Sequence, residues 1–376
     1  MKNPLAQIPT FGQSIWLDYI RRSFIASGEL KALIDNDDLR GVTSNPAIFE
    51  EAIAHSDDYT DAIAKLAKEG KSSEEIFLAI AVEDVQNAAD LFKEVYDKTE
   101  GLDGYVSLEV SPNLALDTAG TTKEAKSSWE VLNRKNVMIK IPGTKEGLPA
   151  ITEAIAGGIN VNVTLLFSLD RYRQVAEAYV EGLEQRVAKG LPIDSIASVA
   201  SFFLSRIDAM VDPMLEEICK EENNRSLVAK QLLGKVAIAS ARVAYNIFKE
   251  VFGSEKFKAL EAKGAKPQRL LWASTSTKNK AYRDVMYIEA LIGPLTVNTV
   301  PKETLNAFRD HGEPADRLER GIEEAQFVLY QLENVVGIKL ADITKKLEDE
   351  GIEKFIKPFT SLMGVLEEKR GEGTES

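Results

Sequence analysis

Short apolar segments recur along the chain, separated by longer stretches in which apolar residues are three or four positions apart. Eight of the short segments have the length and composition of buried strands, at 14–18, 41–45, 105–109, 137–140, 161–167, 196–203, 269–274 and 295–299. The intervening stretches, such as 168–189, have the apolar stripe of amphipathic helices. Strands that alternate with helices pair in parallel, and this number of units favours a closed (β/α)8 TIM barrel. An open doubly wound sheet is the alternative, but no Gly-x-Gly-x-x-Gly motif follows the first strand.

Two helical regions exceed what a plain barrel needs. The first, 208–266, lies between strands six and seven and contains a long apolar stripe at 226–252. The second, 304–371, has helical patterns at 315–336, 340–350 and 353–369. These helices could wrap the barrel, cover its mouth or form a dimer contact. We expect one domain over 1–376, with a disordered tail at 371–376.

The fourth strand contains a lysine in an apolar setting. Val137, Met138 and Ile139 lead directly into Lys140, and Pro142 closes the run. Both faces of a parallel strand are covered, so such a strand normally excludes charge. Burial disfavours the ammonium form and yields a neutral amine that can attack a carbonyl. The alternatives are a lysine paired with a carboxylate, or one whose stem packs on the strand while its head reaches solvent.

Other polar side chains lie at the ends of predicted strands. Asp18 ends the first strand and Glu109 ends the third, where a barrel of this type places its catalytic groups. Each buried charge costs desolvation energy unless it is paired, so a buried salt-bridge triad with Lys140 is the structural alternative. Asn162 and Thr164 are two residues apart and therefore share one face of the fifth strand.

These residue types suit Schiff-base chemistry. A neutral lysine condenses with a ketone, and the protonated Schiff base withdraws electrons from the adjacent carbon–carbon bond. One carboxylate can then accept a proton from a substrate hydroxyl, and a second can move protons through water during Schiff-base formation. This chemistry requires neither a metal nor another cofactor.

Composition narrows the class of protein. The net charge of −13 argues against binding to nucleic acid or to an anionic membrane surface. Cys219 is the single cysteine, and His55 and His311 are the only histidines, which excludes an intrachain disulfide and a cysteine- or histidine-rich metal site. Because no signal peptide or membrane-spanning run is evident, we expect a cytoplasmic protein.

Five short motifs together resemble the transaldolase family. They are GVTSNP at 41–46, SLEVS at 107–111, IKIP at 139–142, NVTLLFS at 162–168 and WAS at 272–274. The chain resembles the longer form found in actinobacteria and cyanobacteria, and the resemblance extends over essentially its whole length. Each motif alone is weak evidence for the family, whereas all five motifs in the family's order are specific evidence.

The resemblance implies a role for each matched residue. Lys140 resembles the Schiff-base lysine, Asp18 the base for the substrate hydroxyl, and Glu109 the acid/base partner. Thr164 resembles the residue that holds the catalytic water with Glu109. Thr43, Asn45 and Asn162 resemble the residues that bind substrate hydroxyls. The implied reaction moves a dihydroxyacetone unit from fructose 6-phosphate or sedoheptulose 7-phosphate to erythrose 4-phosphate or glyceraldehyde 3-phosphate. We expect sugar phosphates as partners, and a monomer or a homodimer.

The phosphate end departs from the family pattern. SFFLSR at 201–206 resembles the family's sixth-strand motif and makes Ser201, Phe203 and Arg206 substrate-binding candidates, although Phe203 could equally be plain core. In ASTSTKN at 273–279, Ser274 matches the family, but the expected arginine is absent. We predict that Lys278 replaces that arginine, with less geometric selectivity because an ammonium is a point charge.

Two other functions remain open. A Schiff-base aldolase would use the same lysine but release free dihydroxyacetone, and the carboxylate at Glu109 disfavours it because aldolase relatives tend to have glutamine there. A barrel that binds sugar phosphates without turnover is also compatible with the fold. The complete set of Asp18, Glu109 and Lys140 argues against such a binder.

Overall fold

Eight parallel strands form one closed barrel in which each strand pairs with the next along the chain and the eighth pairs with the first. The structure is a computed structural model that describes residues 3–375, and the side chains of 3–371. The strands are β1 Gln13–Asp18, β2 Gly41–Thr43, β3 Tyr105–Glu109, β4 Val137–Pro142, β5 Val161–Leu166, β6 Ser198–Phe203, β7 Arg269–Ala273 and β8 Thr296–Val300. The predicted (β/α)8 TIM barrel is confirmed, and every observed strand overlaps its predicted segment.

Helices surround the barrel. They are α1 Arg22–Ala26, α2 Glu29–Asp37, α3 Pro46–Ala54, α4 Thr60–Lys68, α5 Ser73–Leu91, α6 Lys93–Lys98, α7 Thr118–Leu132, α8 Gly147–Gly157, α9 Leu169–Ala188, α10 Ser205–Ile218, α11 Asn224–Leu232, α12 Val236–Phe252, α13 Glu255–Glu261, α14 Met286–Ala290, α15 Lys302–His311, α16 Ile322–Gln331 and α17 Leu340–Glu375. Short 3-10 segments occupy Leu5–Phe11 and Pro112–Leu114, and a π-helical turn occupies Leu332–Val336. No helix in this described part of the chain is long and apolar enough to cross a bilayer.

The two extra helical regions differ in detail from the sequence prediction. The stripe at 226–252 is divided between α11 and α12, because Gly234 adopts a left-handed conformation (φ 67°) that ends the first helix. The patterns at 340–350 and 353–369 belong to the single helix α17. That helix continues to Glu375, so residues 371–375 of the predicted disordered tail are helical. Adding residues to an existing helix costs little once its first turns are packed. Ser376 lies outside the described residues.

Strand register brings the candidate side chains together at the carboxyl end of the barrel. Asp18 is level with Thr43 on the neighbouring strand, and Lys140 is level with both Glu109 and Asn162. Helix α17 packs against α3, α4 and α5, and also contacts α10 and β5. It therefore lies across the end of the barrel where these side chains converge.

Candidate active site

Lys140 and Glu109 form a buried ion pair. The Nζ atom of Lys140 lies 3.3 Å from Oε2 of Glu109, and their side chains are 5% and 4% exposed. The same ammonium donates a hydrogen bond to the backbone carbonyl of Ser44 at 3.0 Å. Burial raises the pKa of the Glu109 carboxyl to about 7, although the charge of Lys140 lowers it in part. A carboxyl with this pKa can both donate and accept a proton near neutral pH.

Asp18 is held in place by Thr43, whose hydroxyl also contacts Thr299. The hydroxyl of Thr43 donates to Oδ1 of Asp18 at 2.7 Å and lies 2.7 Å from the hydroxyl of Thr299. Burial raises the pKa of Asp18, against the lowering effects of Lys140, the Thr43 hydrogen bond and Arg206. The carboxylate is therefore oriented by neighbouring hydroxyls and is well placed to accept a proton.

The fifth strand supplies Asn162 and Thr164, both fully buried. Asn162 donates to the hydroxyl of Ser107 at 3.1 Å and accepts from that of Ser201 at 2.7 Å, which fixes its amide. The strand has an irregular register between Val163 and Leu166, and Leu165 has a φ of 59°. Such irregularities redirect side chains beside active sites. The Thr164 hydroxyl has no hydrogen-bond partner among the described residues, so it does not bond directly to Glu109.

The predicted phosphate end contains two cations. Arg206, at the start of α10, lies with its guanidinium carbon 5.4 Å from the centre of the Phe203 ring, and its Nη1 atom has no hydrogen-bond partner within residues 3–371. Lys278 donates to the hydroxyl of Ser276 at 2.9 Å. Burial lowers the pKa of Arg206, and partial desolvation at the exposed edge of the cavity, followed by the charge of Arg206, lowers the pKa of Lys278. Two neighbouring cations that repel each other are suited to an anionic ligand.

One cavity of about 200 Å³ collects most of the predicted residues. Its walls contain nine of them, namely Asp18, Thr43, Asn45, Lys140, Ser201, Phe203, Arg206, Ser274 and Lys278. Glu109, Asn162 and Thr164 do not line this cavity. Glu109 contacts Lys140, and Asn162 contacts Ser201. Thr164 belongs to the site through its position on β5, two residues after Asn162. Asn45 has a second role that the sequence analysis did not identify, because its side chain also caps α3 by accepting from the Ile48 amide at 3.0 Å.

Several residues of the site were missed from the sequence. Thr299 lies at the end of a predicted strand, as Asp18 does, and that position could have identified it. Ser107 lies in one of the family motifs but was given no role. Phe355 on α17 also lines the cavity, with its ring centre 5.7 Å from the Lys140 ammonium. No sequence pattern connects that phenylalanine with the fourth strand.

A possible cation site lies elsewhere. Among the described residues, the group whose ligand atoms are close enough to hold a metal is Glu50, Glu51 and His55, on and just after α3. Two of the three are exposed, and none lines the cavity that contains Lys140. The residues around Lys140 combine an amine, two carboxyls, hydroxyls and cations.

The chain is similar to known proteins over almost its whole length. The model of the transaldolase/fructose-6-phosphate aldolase family matches residues 15–366. The chain is 52% identical over 370 residues to a transaldolase of Trichodesmium erythraeum, covering 98% of this chain and 97% of the relative. It is 48% identical over 371 residues to transaldolase 2 of a Nostoc species, covering 98% and 97% respectively. It is also 46% identical over 363 residues to a transaldolase of Thermobifida fusca, covering 96% and 97%.

Proposed function

The chain belongs to the transaldolase/fructose-6-phosphate aldolase family, and we propose that it is a transaldolase acting through a Schiff base on Lys140. It would move a three-carbon dihydroxyacetone unit from sedoheptulose 7-phosphate or fructose 6-phosphate to glyceraldehyde 3-phosphate or erythrose 4-phosphate, in the non-oxidative pentose phosphate pathway. The observation that carries this proposal is the buried contact between Lys140 and Glu109, at the end of the barrel where Asp18 also lies.

The first half of the proposed reaction forms the Schiff base. Glu109 takes a proton from the Lys140 ammonium, 3.3 Å away, and the neutral amine attacks the ketose carbonyl carbon to give a carbinolamine. Glu109 then returns and accepts protons as water is expelled. The pKa of about 7 for Glu109 supports this role, because neither direction of proton transfer is then strongly uphill. Thr164 would hold the water through its hydroxyl, which has no partner in the described structure.

The second half breaks and remakes a carbon–carbon bond. Asp18 takes the proton of the hydroxyl next to that bond, the bond breaks towards the iminium, and the aldose product leaves. The remaining three carbons stay on Lys140 as an enamine, which attacks the carbonyl of the acceptor aldose while Asp18 returns its proton to the new hydroxyl oxygen. Hydrolysis of the new Schiff base then frees the product. Arg206 and Lys278 would bind the phosphate, and Thr43, Asn45, Asn162, Ser201 and Ser274 would contact or position the hydroxyl groups.

Borohydride trapping tests the proposal. Reduction in the presence of fructose 6-phosphate should attach the three-carbon unit to Lys140, and Lys140→Ala should lose both the adduct and turnover. Lys278→Ala removes another lysine from the same cavity and should still be trapped. An adduct on a different lysine in the wild type would refute the assignment of the nucleophile. Release of free dihydroxyacetone without acceptor, at a rate equal to transfer, would favour the aldolase alternative.

A further inference from the structure

The long C-terminal helix α17 is fixed across the barrel mouth at several points. Glu348 lies 3.8 Å from Arg171, at the start of α9. Further along, Ser361 donates to Glu50 at 3.1 Å and Lys369 donates to the carbonyl of Ile53 at 3.2 Å, so both contacts are made to α3. Because it is anchored to opposite parts of the fold, the middle of the helix has a defined position over the site.

At Gly351 the helix approaches the barrel closely. A Cβ atom at this position would lie 3.0 Å from Leu165 Cδ2 and 3.5 Å from the Phe167 ring, so the backbone rests on the end of β5. Phe355 is one turn further along and therefore on the same face of the helix. Its ring is 6% exposed and lies over the Lys140 ammonium, 5.7 Å from the ring centre.

The next turn of the helix provides a contrast. Phe359 is 5% exposed, much like Phe355, but its ring packs edge-on against Phe77 with the centres 5.6 Å apart. It lines a second cavity of about 450 Å³, formed mainly by α3, α5 and the end of β3, whose walls include Glu109 but not Lys140. Phe355 instead lines the cavity that contains Lys140. Two equally buried aromatic residues on one helix therefore face different surroundings.

We propose that Phe355 shields the Lys140 intermediate from bulk water and so sets its partition between transfer to an aldose and release as free dihydroxyacetone. This inference rests on the function proposed above. Release requires a proton at the enamine carbon, addition of water at the former carbonyl carbon, and expulsion of the Lys140 amine. One water molecule is consumed for each dihydroxyacetone released. Transfer replaces the protonation with attack on the acceptor aldehyde.

An apolar ring over the amine restricts the one step of release that transfer lacks, which is protonation of the enamine carbon from bulk water. Hydrolysis of the Schiff base is common to both routes and uses the water that Glu109 activates in the proposed mechanism. The role of Phe355 is therefore selective, because it lowers the rate of release without restricting the hydrolysis that completes transfer. A residue needed only for folding would change both rates together.

The test compares Phe355→Ala with Phe359→Ala. For each variant, free dihydroxyacetone released from fructose 6-phosphate without acceptor is measured, and its rate is divided by the rate of transfer to erythrose 4-phosphate. We expect this ratio to rise about tenfold in Phe355→Ala, equivalent to about 1.4 kcal/mol in the relative barriers, and to stay at the wild-type value in Phe359→Ala. The ratio does not depend on how much of the enzyme is folded.

Phe355→Leu keeps part of the apolar volume and should give an intermediate ratio. If Phe355→Ala does not fold, the ratio in Phe355→Leu tests the proposal by itself. A wild-type ratio in every folded Phe355 variant would overturn the proposal. So would an equal rise in Phe359→Ala, since loosening of α17 would then be sufficient. If the wild-type enzyme shows neither transfer nor trapping on Lys140, the proposed function itself fails, and that outcome is distinct from an unchanged ratio.

Discussion

Replacing Arg206 should separate phosphate binding from the chemistry at Lys140. The guanidinium is largely buried, stacks on Phe203, and has an Nη1 atom without a hydrogen-bond partner among the described residues. A phosphate can accept two parallel hydrogen bonds from such a group. Each hydrogen bond to a charged partner contributes about 1.5–3 kcal/mol. Arg206→Ala should therefore lower kcat/KM for fructose 6-phosphate by roughly 10² to 10⁴-fold.

Arg206→Lys keeps the charge but loses the second hydrogen bond, so its loss should be only about 10- to 150-fold. The assay compares kcat/KM for fructose 6-phosphate with that for unphosphorylated fructose, which should change little. Arg186→Ala provides a control, because this buried arginine donates to the carbonyls of Pro192 and Ala156, outside the cavity. If Arg206→Ala lowers kcat/KM by the same factor for both sugars, Arg206 does not bind the phosphate and the reasoning is refuted.

The remaining predictions concern Lys278, Asp18, Glu109 and Asp103. Lys278→Ala should raise KM for the phosphorylated donor by less than about tenfold, because the residue is exposed; an unchanged KM would exclude its role. Asp18→Ala should still be trapped by borohydride but cleave the carbon–carbon bond about 10² to 10⁴-fold more slowly, and wild-type cleavage in single-turnover measurements would remove its assignment. In the wild type, Schiff-base formation should accelerate as the pH rises through about 7, where Glu109 becomes a carboxylate and can accept a proton. Glu109→Gln should abolish that pH dependence, and its persistence would point to another group. Asp103 pairs with Arg269 at 2.8 Å, at the opposite end of the barrel from Lys140. Asp103→Asn leaves Arg269 without its buried carboxylate and should lower the free energy of unfolding by about 3–5 kcal/mol, measured by denaturant titration. The activity of the folded variant should be unchanged.

The local sequence was sufficient to predict the barrel and its polar residues. Apolar runs that end in Asp18, Glu109 or Lys140 identify strands, because a covered parallel strand tolerates charge only at its ends. Strand order then follows from chain order, since each right-handed crossover places the next strand beside the previous one. These features depend on neighbours close in sequence or on one simple topological rule, and for that reason they were predictable.

Only the tertiary structure decided how the site is completed and closed. The pattern of α17 predicts an apolar face but not which surface that face contacts, so neither the approach at Gly351 nor the position of Phe355 over Lys140 could be derived. The same is true of the irregularity at Leu165 and of the division between the cavities lined by Phe355 and Phe359. A helix can pack in many directions with similar burial of its apolar face. The direction it takes is fixed by complementary shapes that come together only in the folded chain.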